Sequence, residues 1–212
     1  MKLCFADGVI ALRWHRIKST FIVIVFCAAS LFLSSCGRSN PAGPSPTPFN
    51  SGKITGTTYQ NDFLGMKIDA PTGWVLRLGS SGSGDDSTLL AACMKQIPSS
   101  PINASMELSV LIVKDSLAGD ALVSELSENY LADTSWKTIS VDSASVGGVG
   151  DFSGVWFEVS GERVKPPVSL KVMQFIFRVK SYNVIITALC PLTDYEQEKA
   201  AIDASFKSLS QL

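Results

Sequence analysis

Acid–base and metal chemistry in proteins lean heavily on histidine, and this 212-residue chain has one, His15. The nucleophile candidates are the five cysteines, Cys4, Cys27, Cys36, Cys93 and Cys190. Carboxylate pairs are the other route to catalysis, and several stand close in sequence. Asp85 and Asp86 would point to opposite faces of an extended segment. Glu196 and Glu198 are two apart and diverge on a helix, whereas Glu125 and Glu128 share a helix face that a solvated surface explains. The glycines of residues 79–86, GSSGSGDD, lack the Gly-x-x-x-x-Gly-Lys-Ser/Thr spacing of a phosphate loop and the Gly-x-Ser-x-Gly of a nucleophile elbow. No Ser-x-x-Lys occurs after residue 35. An enzyme would have to be assembled from residues far apart in sequence.

The cysteine with the clearest setting is Cys36. Thr20 to Gly37, TFIVIVFCAASLFLSSCG, is an apolar run closing on Leu33-Ser34-Ser35-Cys36, and it follows a segment carrying Lys2, Arg13, Arg16 and Lys18 against one acid, Asp7. A positive segment, an apolar stretch and small residues at the cleavage point are what a secretory signal requires. The run resembles the signal peptide and lipobox of a bacterial lipoprotein. Residues 1–35 would be removed, and Cys36 would lead the mature chain and carry the lipid. An uncleaved anchor is the competing reading, but Thr20 to Ser35 is 16 residues, about 24 Å of helix against a hydrocarbon core of ~30 Å. Several acyl chains on one cysteine hold firmly to a membrane, since each buried methylene adds ~0.8 kcal/mol. The expected location is therefore the bacterial cell envelope, on a membrane face outside the cytoplasm, periplasmic or outer-membrane.

Cleavage would take away His15, Cys4 and Cys27, together with four of the 18 Lys and Arg and one of the 19 Asp and Glu, leaving a net charge of about −4. Without histidine, Ser-His, Cys-His and His-metal arrangements are excluded. A mildly acidic domain with no basic run is a poor nucleic-acid binder. Cys93 and Cys190 remain, both in apolar runs. They could form a disulfide or be two buried free thiols; the second is preferred, because nothing places their strands side by side.

The elements follow from periodicity. Residues 36–52 form the lipid-bearing cysteine and a Pro/Ser-rich tether, with Pro41, Pro44, Pro46 and Pro48 favouring extended polyproline II. Residues 53–212 read as one domain. Leu64, Met66 and Ile68 alternate in a strand that Pro71 stops, and Trp74 to Leu78 continues beyond a Pro-Thr-Gly turn. Further strands are predicted over Thr88–Lys95, Ser105–Val113, Lys137–Val146, Phe152–Ser160, Ser169–Lys180 and Val184–Cys190. Helical spacing appears over Ser116–Ala132, capped by Asp115 or Ser116, and after Thr193, which with Glu196 would make a capping box. The fold class is α+β, an antiparallel β-sheet flanked by helices in an α/β/α sandwich, expected to be a monomer.

Tyr59-Gln60-Asn61-Asp62-Phe63-Leu64-Gly65-Met66-Lys67-Ile68-Asp69-Ala70-Pro71-Thr72-Gly73-Trp74 is similar to the opening hairpin of the PsbP-like family, and Tyr195 to Leu209, with Ser205-Phe206, to its closing helix. This family includes extrinsic photosystem subunits, their cyanobacterial lipoprotein relatives and a Ran-binding import factor. The resemblance spans roughly residues 56–210. It implies an antiparallel sheet between helices, no cofactor and no catalysis. Metal sites of some members use histidine, so none carries over. Trp74 is expected as a core anchor. The resulting expectation is a non-catalytic lipoprotein that binds or helps assemble a protein partner at the membrane surface, with a small apolar-ligand binder and a histidine-independent hydrolase as alternatives. Within residues 161–168, GERVKPPV, the partner-binding candidates are Arg163, Lys165, Pro166 and Pro167: two positive charges on a loop stiffened by prolines.

Overall fold

The computed structural model describes residues 46–79, 87–112 and 119–212. Cys36, the signal segment, the first part of the tether, Asp85-Asp86 and the proposed caps Asp115 and Ser116 lie outside the described residues. Among the described residues, no helix is long and apolar enough to cross a membrane.

The described residues form two antiparallel sheets and two helices. The smaller sheet joins β1 (Gly52–Thr55), β2 (Thr58–Asn61), β3 (Met66–Asp69) and β11 (Ser210–Gln211) in that order. The larger has β4 (Val75–Leu78), β5 (Ser87–Lys95), β6 (Ala104–Ile112), β7 (Trp136–Val149), β8 (Phe152–Arg163), β9 (Val168–Val179) and β10 (Tyr182–Pro191). Its spatial order is β4-β5-β6-β10-β9-β8-β7. Helix α1 (Asp120–Ala132) carries the chain from β6 to the far edge at β7, and three hairpins fill the gap back to β6. Helix α2 (Tyr195–Lys207) follows β10.

Alternation along the long strands sends side chains to two cores. Met106, Leu108 and Val110 of β6, Met173, Phe175 and Phe177 of β9, and Val184, Ile186 and Ala188 of β10 pack beneath the small sheet and α2. Val155, Phe157 and Val159 of β8, Leu170, Val172 and Ile176 of β9, and Ile185 and Leu189 of β10 pack with Leu126 and Tyr130 of α1. Strands β9 and β10 are thus buried on both faces, which is why they read as nearly unbroken apolar runs. Tyr195, Ile202, Phe206 and Leu209 all turn inward, and Phe206 and Trp156 pack edge to face, ring centroids 4.8 Å apart.

Several boundaries differ from the sequence reading. The domain begins before Lys53: Gly52 opens β1, Pro48 is buried, and the Asn61 amide donates to the Pro48 carbonyl at 2.8 Å. Strand β7 runs on through Gly147-Gly148, leaving Gly150-Asp151 as the hairpin turn. Described α1 starts at Asp120 with Gly119 as its N-cap. The capping box is not formed. Asp194 takes the N-cap position without a side-chain cap, and the Thr193 hydroxyl donates to the Asp194 carboxylate at 2.6 Å.

The Gly150-Asp151 turn latches the end of α2 to the large sheet. The Asp151 carboxylate accepts the Gln211 amide at 3.0 Å. Gly150 has φ +56°, and a Cβ there would sit 1.6 Å from the Leu209 carbonyl oxygen. Both facts demand glycine. Gly150→Ala should cost about 2 kcal/mol or more, read as a lower urea midpoint for residues 46–212. An unchanged midpoint would mean the turn does not hold the end of α2.

Candidate functional site

The residue most out of place in its strand is Lys171. It sits 8% exposed in the apolar run of β9, on the face that looks toward α2. A buried ammonium must be paired, and the neighbouring strands supply the partners. Its Nζ lies 2.8 Å from Asp142 Oδ2 of β7 and 2.7 Å from Glu158 Oε2 of β8. Asp142 Oδ1 accepts the hydroxyls of Ser140 at 2.8 Å and Ser160 at 2.9 Å, and Glu158 Oε1 accepts Trp156 Nε1 at 2.7 Å. The Tyr195 ring of α2 closes the cluster, 5.7 Å from the ammonium.

Burial alone would lower the Lys171 pKa, but the hydrogen bonds and charges of Asp142 and Glu158 outweigh it and raise it. Burial likewise pushes Asp142 up, and its bonds from Lys171, Ser140 and Ser160 bring it below the usual carboxylate range. The pairing therefore favours the charged forms, the ammonium of Lys171 and the carboxylate of Asp142. A serine hydrolase using lysine needs a neutral amine to take the hydroxyl proton; here the amine is kept charged, and both serines donate to a carboxylate already satisfied by that amine.

The second buried charge is Glu198, on the inner face of α2. Its Oε2 accepts Trp74 Nε1 at 3.0 Å, and its Oε1 accepts the Lys95 ammonium of β5. Burial raises its pKa, but the bonds from Lys95 and Trp74 and the Lys95 charge carry it below the ordinary value. Trp74 is buried as expected of a core anchor. Glu198, which sequence spacing dismissed beside Glu196, is the residue that orients it. The available signal was a carboxylate one turn before Ile202 on the same apolar face of the helix.

Cys93 and Cys190 are both buried free thiols. Cys93 pairs with Met106, and Met106 pairs with Ala188, so the two cysteines stand on strands separated by β6 and are offset along them. Two strand spacings come to about 10 Å, beyond the ~7 Å that a disulfide spans between Cα atoms. The disulfide alternative is therefore not formed. Burial pushes each thiol up to about 12, which leaves too little thiolate for nucleophilic work.

The 161–168 stretch is a hairpin connection with Val164 to Pro167 between β8 and β9. Lys165, Pro166 and Pro167 are exposed, and Val164 is 45% exposed. Arg163 is half-buried. It belongs to β8, and its guanidinium lies 5.2 Å from the Trp136 ring centroid.

Two cavities border the first core. One, about 20 Å³ beside Ile68, Cys93 and Met106, has room for a single water. The other is a cleft of about 100 Å³ between β1 and β4, lined by Phe49, Gly52, Tyr59, Leu78 and Leu90 among others.

The pH dependence follows from the charge pairs. Asp142 and Glu198 have lowered folded pKa values, so their contribution is present above the ordinary carboxylate range, near 4, and is lost as pH falls through the folded values. The contribution of Lys171 is full below about 10.4 and lost as pH rises through its raised value. Urea midpoints should be flat near neutrality and fall at both extremes, and Glu198→Gln should flatten part of the acid limb. Lys171→Met leaves two carboxylates facing each other and should cost about 3–5 kcal/mol at pH 7. A loss below ~1 kcal/mol would place the cluster with ordinary surface ion pairs.

No family profile matches the chain, and no curated protein matches it in sequence. Among solved structures, a protein of unknown function from Pseudomonas aeruginosa aligns at 15% identity over 67% of this chain and 88% of that one, with a TM-score of 0.41. LpqN, involved in cell envelope biogenesis of Mycobacterium tuberculosis, aligns at 11% identity over 66% and 84%, also at 0.41. Cyanobacterial PsbP from Synechocystis sp. PCC 6803 aligns at 11% identity over 85% of this chain and 99% of that one, with a TM-score of 0.52. The first two are too distant to support an argument. The third supports the fold, which is PsbP-like.

Proposed function

We propose that this protein is a lipid-anchored, non-catalytic protein of the bacterial cell envelope whose domain binds a protein partner at the membrane surface. Cys36 carries the lipid, and the Val164–Pro167 turn makes the contact. The observation that carries the non-catalytic part is saturation. The buried groups best suited to chemistry, Lys171, Asp142, Glu158 and Glu198, already satisfy one another or Lys95, Trp74 and Trp156. Among the described residues, no group of three His, Cys, Asp or Glu is placed to hold a metal. Among the described residues, the two cavities beside the first core, about 20 and 100 Å³, fall well short of the ~300 Å³ of a small-molecule site, which weighs against the apolar-ligand alternative.

The anchor is supported by the Leu33-Ser34-Ser35-Cys36 ending of the apolar run. Cys36→Ser in the expressed precursor should abolish incorporation of labelled palmitate and release the protein from the membrane fraction. Retention of full label would overturn the assignment.

For the partner surface, Val164 and Lys165 are the side chains to change, because Arg163→Ala would also uncover Trp136. The double substitution Val164→Ser with Lys165→Ala should leave the urea midpoint within about 0.5 kcal/mol of wild type. It should also reduce the yield of cross-linked partner on intact cells. Equal yield of the same partners would make this connection only a turn.

A further inference from the structure

The tether does not enter the domain loosely. The Asn61 amide donates to the Pro48 carbonyl and to the Tyr59 hydroxyl, both at 2.8 Å. Gly52 has no side chain, and that absence lets the tyrosine ring pass; a Cβ there would stand 2.6 Å from its hydroxyl. The Thr47 amide donates to Asn50 Oδ1 at 2.7 Å, closing a turn over residues 47–50. At the tip of this pinned turn Phe49 is 43% exposed. A fixed turn that holds an aromatic ring in solvent has a use for it, since the ring loses no further backbone freedom on docking.

The surroundings of Phe49 are of the same kind. Leu78, at the end of edge strand β4, shares the cleft with it and is 53% exposed. On the other face of β4, Val75 is 58% exposed and pairs across the strands with Met94, 36% exposed. Arg77 stands exposed on the same face as Val75, while Leu76 packs against the core, so the exposed side chains of this sheet-edge strand are two apolar and one basic. Exposed apolar and aromatic side chains with an arginine are the composition of a surface resting at the headgroup boundary of a bilayer.

We infer that the β4 edge and the Phe49 turn form the face of the domain that rests on the membrane. The inference deepens the anchored reading above and depends on it. Phe49 is 13 residues beyond Cys36, about 40 Å if fully extended, so a lipid on Cys36 keeps the bilayer within constant reach of this patch. At that effective concentration a contact too weak to bind a free domain suffices to set its orientation. Phe49, Val75 and Leu78 supply the apolar contact, and Arg77 meets the phosphate of an anionic headgroup.

The test uses the processed, lipidated chain in vesicles of phosphatidylethanolamine and phosphatidylglycerol. Single cysteines are introduced by Phe49→Cys, Leu78→Cys, Leu131→Cys and Val146→Cys, each labelled with a nitroxide. Cys93 and Cys190 are buried and stay unlabelled. Leu131 on α1 and Val146 on β7, 61% and 56% exposed, are the controls on the far face and the far edge. Flotation reports anchoring. Relaxation by lipid-soluble oxygen against a water-soluble nickel chelate reports depth. The expected result is flotation of all four, with oxygen favoured several-fold at 49 and 78 and the chelate favoured at 131 and 146. Flotation with all four labels open to the chelate would overturn this orientation and leave the anchor standing. Labels at 49 and 78 shielded from both reagents would mean that protein covers the edge, which also overturns it. Failure to float would overturn the anchored reading and this one together.

Discussion

Helix α2 is seated on the large sheet by charge, and the rest of the domain depends on that seating. A carboxylate cannot be buried unless its partners arrive with it. Glu198 brings together the start of β4 through Trp74 and the end of β5 through Lys95. Lys171 performs the matching task from the sheet side, gathering β7 and β8 beneath Tyr195. Beyond these two anchors along the helix lie Ile202 and Phe206, whose apolar contacts are undirected. Dispersion and burial supply the adhesion; the two charged groups select the one position in which every buried polar atom near the helix is satisfied.

This division of labour explains what could be read from the sequence. Long strands with one buried face announce themselves, as in Met106-x-Leu108-x-Val110, and so does the inward stripe of α2. Strands β1, β2 and β11 have two to four residues each, too few to establish a period. Pro48 looked like one more tether proline because nothing local shows that a carbonyl will meet Asn61 thirteen residues later. The charged clusters were the least legible part. Lys171 carried a hint, a lysine inside an apolar run, yet its partners sit 29 and 13 residues upstream, on strands whose register the sequence leaves open. The capping box failed because Asp194 holds the N-cap position that the pattern gave to Thr193.

The same features separate fold from function. Residues 59–74 and 195–209, which carry the likeness to the PsbP-like family, turn out to hold Trp74, Glu198 and Phe206, that is, the joint between α2 and the sheet. Those residues would be needed whatever the domain binds. What distinguishes this chain must then lie on its connections and edges. Strands β8 and β9, which bear the 164–167 turn, stand five and four strands along the sheet from β4. At about 4.8 Å per strand that is roughly 20 Å or more, so opposite ends of one sheet can face a surface and a partner at once.

The placement of the two thiols has a consequence for how the chain matures. A domain with two cysteines can cross-link them while the chain is still open. Here the native state offers neither sulfur to an oxidant, and strand β6 stands between them as a physical divider. A cross-linked chain cannot insert β6, so oxidation before folding yields a dead end that cannot pass as the finished domain. Conversely, reaction of Cys93 or Cys190 with a thiol reagent can proceed only as fast as the centre of the large sheet opens. The protein thus carries its own clock for the lifetime of its folded state.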